Sequence, residues 1–155
     1  MACESGTYVG RSALVEISLG CSDTPPASYL PLGGTRGLSL NGEWGTIDVT
    51  NRDSTGSVRE RLADYIDYTG SVDGTTLKGS ASNQKLLRRH VWDPADGQPK
   101  GWMRFTLPEE GGAVEIIEMP VIFSSNNLDL PYEDVATFSM DWQGDGAPVF
   151  TDVPA

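Results

Sequence analysis

The feature that most constrains the fold of this chain is the alternation of apolar and polar residues in short segments. Residues 134–142 show it most clearly. One side would carry Asp134, Ala136, Phe138, Met140 and Trp142, and the other would carry Glu133, Val135, Thr137, Ser139 and Asp141. A period of two is that of a β-strand with one face on a core and the other towards water. With 18 Gly and 10 Pro available for turns, the sequence predicts a β-rich fold.

Further strands are predicted along the chain, each bounded by turn residues. They cover residues 12–19, 38–40, 47–50, 65–72, 102–107 and 113–123. Asn41-Gly42 lies between two of these segments, and Asn-Gly between alternating strands is a strong hairpin signal. Seven or so strands at this spacing predict a mainly β fold, a β-sandwich or barrel, in one domain over residues 1–155. Residues 1–10 and 144–155 are expected to form an N-terminal and a C-terminal arm.

One short α-helix is predicted, over residues 82–92. Ser82 is the expected N-cap, and Asp93-Pro94 ends the segment because the residue before a proline disfavours helical geometry. The helical period places Leu86, Leu87, His90 and Val91 on one side, and Lys85, Arg88 and Arg89 on the other. We expect the first side to pack on the strands and the basic side to pair with acids of a neighbouring subunit.

The charges are divided unevenly along the chain. From residue 105 onward there is no Lys or Arg, so about −10 of the formal net charge of −11 lies in the last third. The acidic residues there are Glu109, Glu110, Glu115, Glu118, Asp129, Glu133, Asp134, Asp141, Asp145 and Asp152. One surface of the folded domain should therefore be electronegative and should repel nucleic acid.

No catalytic, cofactor or metal site is predicted. The chain has no Gly-x-Ser-x-Gly, Gly-x-x-x-x-Gly-Lys-Ser/Thr or His-Glu-x-x-His motif. Its single histidine, His90, has no catalytic partner nearby in sequence and is expected to be a partly buried helix residue. Glu115 and Glu118 could by residue type serve as the acid and base of a glycosidase. Three residues apart on a strand, however, they would point to opposite faces.

Cys3 and Cys21 flank the first predicted strand. A disulfide between them stays open at this point, although reduced thiols are expected in a protein made in a cytoplasm. No apolar run is long enough to span a bilayer, and no secretion signal follows the start, so membrane insertion is not expected.

Three consecutive stretches resemble the major tail tube proteins of long-tailed, non-contractile (siphovirus-type) bacteriophages. The first is residues 38–50, with Asn41-Gly42 and then Gly-Thr-Ile-Asp-Val-Thr at 45–50. The second is Asn-Arg-Asp-Ser-Thr-Gly at 51–56, which leads to Arg-Glu-Arg-Leu at 59–62. The third is residues 65–74, ending in Gly-Ser-Val-Asp-Gly. Their order, with a helix following at 83–92, is similar to that of the family over most of residues 29–143.

The resemblance implies a structural virion protein that assembles in the host cytoplasm and ends in the phage tail. Homo-hexameric rings would stack into a tube, with the sheets of neighbouring subunits joined into a barrel around a channel for DNA. The implied partners are other copies of the chain, a tape-measure protein, a tail terminator, and baseplate or tip proteins. Viral DNA would pass without sequence-specific binding. Neither catalysis nor a cofactor is implied.

Within that assembly, candidate roles fall on particular residues. The lumen-facing candidates are Glu133, Asp141, Glu115 and Asp48. The ring-stacking candidates are Asn51, Arg52, Asp53 and Ser54, in a loop without apolar side chains up to Gly56. The subunit-interface candidates are Ile117, Met119, Val121 and Phe123 on a strand that is apolar on both faces, together with Arg88 and Arg89. Acidic channel walls would keep DNA phosphates from adhering.

Two alternative functions are compatible with the sequence. One is the inner tube of a contractile tail or injection machine. The other is a monomeric acidic β-sandwich that binds a sugar or a partner protein, with Trp44, Trp92 or Trp102 as stacking platforms. We expect these three side chains to pack in a core or an interface instead.

Overall fold

Eight β-strands form one antiparallel sheet, and one α-helix packs against it, in the part of the chain that the structure describes. The computed structural model describes residues 14–52, 56 and 58–155. The strands are β1 (Leu14–Leu19), β2 (Leu30–Pro31), β3 (Thr35–Asp48), β4 (Arg61–Thr75), β5 (Lys100–Pro108), β6 (Val114–Asp129), β7 (Thr137–Gly144) and β8 (Val149–Val153). The helix α1 is Gln84–Trp92, and a 3₁₀ turn covers Glu110–Gly112. The predicted mainly β fold with one short α-helix is confirmed.

Strand β6 lies at the centre of the sheet. The order across the sheet is β2-β1-β5-β6-β7-β4-β3, and β8 also pairs with β6. One edge of β6 pairs with β5 from Val114 to Ile122. Because β5 occupies that edge, β8 at residues 114–118 and β7 at residues 121–129 must share the other one. Strands β7 and β8 therefore follow each other along the same edge of β6.

A single hydrophobic core holds the sheet together. Its buried side chains are Val15, Ile17, Leu32, Val72, Leu87, Met103, Phe105, Met119, Val121, Phe123, Phe138, Met140 and Trp142. The rings of Phe105 and Trp142 stack with centroids 5.5 Å apart, although β6 separates their strands. Strands from both halves of the sheet thus face one core, and the sheet curls around it. A β-bulge between Phe123 and Ser125 supplies a bend in the central strand.

The hairpin predicted at Asn41-Gly42 is wrong, because β3 runs straight through it. Asn41 pairs with Thr69, and Gly42 pairs with Tyr68 of β4. Strand β4 offers a hydrogen-bonding partner along the whole of β3, so the backbone gains nothing by turning there. Gly42 instead leaves room for an aromatic ring, since a Cβ atom at this position would lie 3.3 Å from Cε1 of Tyr68. The connection between the two strands comes later, at residues 49–60.

The predicted helix is confirmed at its C-terminal end and corrected at its start. Asn83, not Ser82, is the N-cap residue, with a left-handed φ of 61° and no side-chain capping hydrogen bond. Leu87 is fully buried and Val91 packs on the core, as predicted. Leu86, expected on the same side, is 46% exposed. Gln84 takes the inward position in its place.

Gln84 explains why the helix starts where it does. Its side-chain amide donates hydrogen bonds to the carbonyls of Gly33 (2.7 Å) and Thr75 (3.0 Å), and its side-chain oxygen accepts one from the Leu77 amide (2.9 Å). The side chain is buried, so these three bonds are shielded from water. They join α1 to the turn before β3 and to the end of β4.

The structure describes the C-terminal segment of the chain but not residues 1–13. Residues 144–155, expected as an arm, contain β8, which pairs with β6. The expected N-terminal arm at residues 1–10 and Cys3 lie outside the described residues, and Cys21 is an exposed free thiol. Among the described helices, none has the length and apolar character needed to cross a membrane.

Candidate functional site

The outward face of four adjacent strands carries no apolar side chain. It consists of alternate residues of β3, β4, β7 and the second half of β6, and we call it the polar face. Its members are Gly37, Ser39, Asn41 and Glu43; Asp67, Thr69, Ser71, Asp73 and Thr75; Thr137, Ser139, Asp141 and Gln143; and Ser125, Asn127 and Asp129. One row across the sheet reads Ser39, Ser71, Asp141 and Ser125. The opposite face of these strands carries core residues such as Val72 and Met140.

The polar face is acidic. Its carboxylates are Glu43, Asp67, Asp73, Asp129 and Asp141. One base joins them among the described residues: Arg36, at the bulge of β3, lines a shallow hollow together with Asp73 and Asp129. No described segment covers this face, so the face is open to solvent in a single copy of the chain. Such a surface attracts cations and repels phosphate groups.

Beyond the core, β3 and β4 continue as a two-stranded extension, residues 44–65, which we call the hairpin extension. It exposes large apolar side chains: Trp44 (54% exposed), Ile47 (48%), Leu62 (59%) and Tyr65 (78%). Trp44 and Ile47 are three residues apart on one strand and therefore point to opposite faces. An extension that is apolar on both faces is typical of a surface that another molecule covers.

The base of the connecting loop is closed by hydrogen bonds. The carboxylate of Asp48 accepts a bond from the Thr50 amide (2.9 Å), and the Thr50 hydroxyl accepts one from the Glu60 amide (2.8 Å). The bonds from Thr50 lower the pKa of Asp48. Arg59 lies 3.8 Å from the same carboxylate in an exposed ion pair. These contacts join the two described ends of the loop.

Of the four lumen candidates, Asp141 alone lies on the polar face, where its carboxylate accepts a hydrogen bond from the Ser125 hydroxyl (3.1 Å). Glu133 was expected on the same strand face, but β7 begins at Thr137 and Glu133 lies in the exposed bend before it. Glu115 pairs with Leu107 and Asp152 in the first half of β6, and Asp48 ends β3. The alternation of the sequence correctly predicted the face on which Asp141 lies. It did not show that the strand begins only at Thr137, after Glu133.

The apolar residues of β6 predicted to form an interface pack within their own chain. Met119, Val121 and Phe123 are buried within their own chain, at 5% exposure or less, and Ile117 packs against the same core. This face of β6 is thus turned towards the core of a single copy. Arg88 and Arg89 lie on the outer side of α1, where Arg88 is half-buried and Arg89 is exposed.

In the predicted stacking loop, Asn51 and Arg52 are exposed, and Asp53 and Ser54 lie outside the described residues.

A polar cluster in the other half of the sheet, on β1, β5 and the first half of β6, was not predicted. Arg104 of β5 donates two hydrogen bonds to the Glu16 carboxylate, and its guanidinium lies 4.4 Å from the ring centre of Tyr29. The Tyr29 hydroxyl donates to Glu118 (2.7 Å), and burial together with this carboxylate raises the pKa of Tyr29. Glu118 and Glu115 point to opposite faces, as expected. The cluster fastens the segment before β2 onto the sheet.

The three tryptophans proposed as binding platforms differ in exposure. Trp102 is 4% exposed, and its indole N–H donates to the Ser22 carbonyl (2.9 Å), so it is a packing residue. Trp44 and Trp92 are both more than half exposed. They lie on separate elements, the hairpin extension and α1. Among the described residues, no group of three or more His, Cys, Asp or Glu side chains is placed to hold a metal ion.

The same fold occurs in solved structures of tubes and tails. A chain in the virion of a native gene transfer agent particle is 19% identical, with a TM-score of 0.70, over 94% of this chain and 99% of that one. The SPP1 tail tube is 12% identical, with a TM-score of 0.67, over 96% of this chain and 80% of that one. A chain in the sheath–tube complex of an extracellular contractile injection system is 12% identical, with a TM-score of 0.59, over 95% of this chain and 93% of that one. This chain therefore shares the fold of these tube and tail chains.

The chain belongs to the phage tail tube protein family, whose model matches residues 7–150. The protein is a structural component of the virion, a subunit of the tail tube. The resemblance noted in the sequence is thereby confirmed. No curated protein matches the chain.

Proposed function

We propose that copies of this subunit form hexameric rings that stack into a tube, and that the polar face lines its channel. The observation that carries this proposal is the polar face itself, which spans four strands without an apolar side chain. The tail of the empty gene transfer agent particle was refined with C6 symmetry, and this supports six copies per ring. Four strands from each copy would then enclose the channel.

The channel would conduct viral DNA into the host without binding it. Five carboxylates and one guanidinium on the polar face leave an excess of negative charge in each copy. Repulsion between these carboxylates and DNA phosphates prevents adhesion, so the genome can slide. Catalysis has no part in this function. A tape-measure protein inside the tube, a terminator at one end and baseplate or tip proteins at the other are the further partners that this role requires.

The hairpin extension and its loop would join one ring to the next. The extension projects beyond the core and exposes apolar side chains on both faces. Asn51 and Arg52 are exposed at the start of the loop that connects its strands. We keep Asn51, Arg52, Asp53 and Ser54 as the residues that would contact a neighbouring ring. Burial of Trp44 and Leu62 there would stabilise the stack through the hydrophobic effect.

Cysteine labelling of assembled tubes tests the lining of the channel. In a background with Cys3 and Cys21 replaced by Ser, Ser139→Cys places a thiol on the polar face, and Lys78→Cys places one on an exposed loop. In tubes verified by negative-stain microscopy, a bulky maleimide should react with the Lys78→Cys variant and spare Ser139→Cys. In free subunits both should react. Equal protection or equal reaction of the two positions in tubes would contradict the proposed channel.

A further inference from the structure

Helix α1 presents basic side chains that have no acidic partner among the described residues. Lys85 and Arg89 are exposed, and the Arg88 guanidinium lies 5.7 Å from the ring centre of Trp92. None of the ion pairs in the described chain involves this helix. The outer side of α1 is therefore a cationic surface on an otherwise acidic protein.

The same helix borders an open edge of the sheet. The pairing of β5 with β6 ends at Ile122. Beyond the bulge, residues 125–129 of β6 pair with β7 on one side and with no strand of the described chain on the other. The indole N–H of Trp92 donates to the carbonyl of Asn126 on this length of β6 (2.8 Å). The Trp92 side chain is nevertheless 60% exposed. The edge is thus only lightly covered, and α1 lies beside it.

The opposite border of the polar face is β3, whose 14 residues pair with β4 alone. On this border Glu43 lies directly opposite Asp67 of β4. Both side chains are exposed, and neither makes an ion pair with a described residue. Two carboxylates directly opposite each other destabilise a strand pair. A cation supplied from outside the chain would relieve this repulsion.

We infer that α1 of one copy receives the β3 edge of the next copy, with Arg88 and Arg89 facing Glu43 and Asp67. The two surfaces are different parts of one chain, so the contact is head-to-tail, the type of contact that forms a ring where the rotation between copies closes. The pairing of unlike charges orients the contact and rejects the reverse arrangement. This inference rests on the proposed ring and names the surfaces that form it. It assigns Glu43 and Asp67 to the junction between copies and leaves Asp73, Asp129 and Asp141 to repel DNA in the channel.

Charge reversal tests the contact without depending on the core. Arg89→Glu brings a third carboxylate to Glu43 and Asp67, and Glu43→Arg brings a third cation to Arg88 and Arg89. Each variant alone should lower the association constant of ring formation at least about tenfold, the change that corresponds to about 1.4 kcal/mol. Sedimentation velocity and negative-stain microscopy would measure it. Circular dichroism should show unchanged folding, because both side chains are exposed.

Mixing the two variants gives the decisive result. In a ring that alternates Arg89→Glu copies with Glu43→Arg copies, every junction again joins a cation to a carboxylate. We therefore expect the mixture to assemble like the unchanged protein, a recovery that misfolded subunits could not show. Lys78→Glu, an exposed base in the loop before α1 that is not one of the four contacting residues, is the matched control and should assemble normally.

The other outcomes separate this inference from the proposed function. If the unchanged chain forms rings and either reversal alone assembles equally well, or the mixture does not recover, the α1–β3 contact is overturned while the ring stands. If the folded, unchanged chain forms no ring in any condition that promotes association, both are overturned.

Discussion

Gly70 shows how a single residue sets the fit between β4 and the core. Its backbone packs against the Trp142 indole, so an added Cβ would overlap that ring and lie 2.6 Å from the Ser39 carbonyl oxygen. Neither atom belongs to the end of a flexible side chain that could move away. We expect Gly70→Ala to lower the free energy of unfolding by about 1–3 kcal/mol through overpacking, measured by urea denaturation.

Gly45 provides the matched control for that substitution. It also lies in a strand, β3, but a Cβ there would meet the nearest atom at an ordinary 3.7 Å. Gly45→Ala should therefore leave stability unchanged or raise it slightly, because alanine restricts the unfolded chain. Equal losses at the two positions would show that close packing on Trp142 is not the cause.

Asp48 gives a residue-scale prediction about pH. Hydrogen bonds from Thr50 hold the pKa of Asp48 below its usual value in the folded state. The stabilisation from these bonds is fully present above the unfolded pKa and is lost as the pH falls through the folded one. An NMR titration should find the low pKa in the unchanged protein. Thr50→Val should raise it, whereas Thr46→Val, on the same strand, should not.

Sequence patterns predicted side-chain direction better than the path of the backbone. The alternation around Phe138, Met140 and Trp142 identified the buried side of β7 because period-two burial is a local property. The hairpin prediction at Asn41-Gly42 failed because these residues pair with β4, and this long-range pairing overrides their local preference for a turn. Gln84 could not have been predicted, since its partners Gly33 and Thr75 come together only in the folded chain.

At the scale of elements, one apolar side chain of α1 is fully buried in the core. Leu87 is fully buried in the core, whereas its neighbour Leu86 is 46% exposed. Leu87→Ala should cost about 2–5 kcal/mol by leaving a cavity, and Leu86→Ala less than about 0.5 kcal/mol, as for an exposed site. Thermal unfolding of the two variants would measure the difference. A larger loss at Leu86 would mean that the helix is rotated relative to its position here.

Strand β6 shows why a sequence pattern cannot separate a core strand from an interface strand. Ile117, Met119, Val121 and Phe123 are an apolar run whose sequence is equally compatible with a sheet interior and with a contact between subunits. Curling of the sheet decides between the two, and it depends on contacts such as Phe105 with Trp142, on strands that flank β6. Sequence periodicity contains no information on that curvature.

At the scale of the whole molecule, net charge should govern how fast copies associate. Each chain carries −11, so copies repel one another over distances set by the Debye length. That length falls from about 30 Å at 0.01 M salt to about 10 Å at 0.1 M. We expect the assembly rate, followed by light scattering, to rise over this range, because repulsion of the net charge outweighs a few contacting ion pairs.

A variant with fewer polar-face acids gives the control for that prediction. Asp73→Asn with Asp141→Asn removes two negative charges from the polar face, at positions away from α1. Its assembly rate should be higher at low salt and should change less as salt is added. A rate that falls with salt in both proteins would instead indicate that attractive pairs dominate the encounter.

The bulge in β6 has a consequence for how the length of this chain can vary. Phe123 and Ser125 pair with Trp142 and Asp141, which are adjacent on β7, so Ser124 has no partner there. Deletion of Ser124 would leave every β6–β7 pair intact. Deletion of Glu118 would instead move the side chains on one side of the deletion to the opposite face of the sheet. We expect the first deletion to preserve cooperative unfolding and the second to abolish it. Position 124 is thus where β6 can tolerate a frame-preserving deletion.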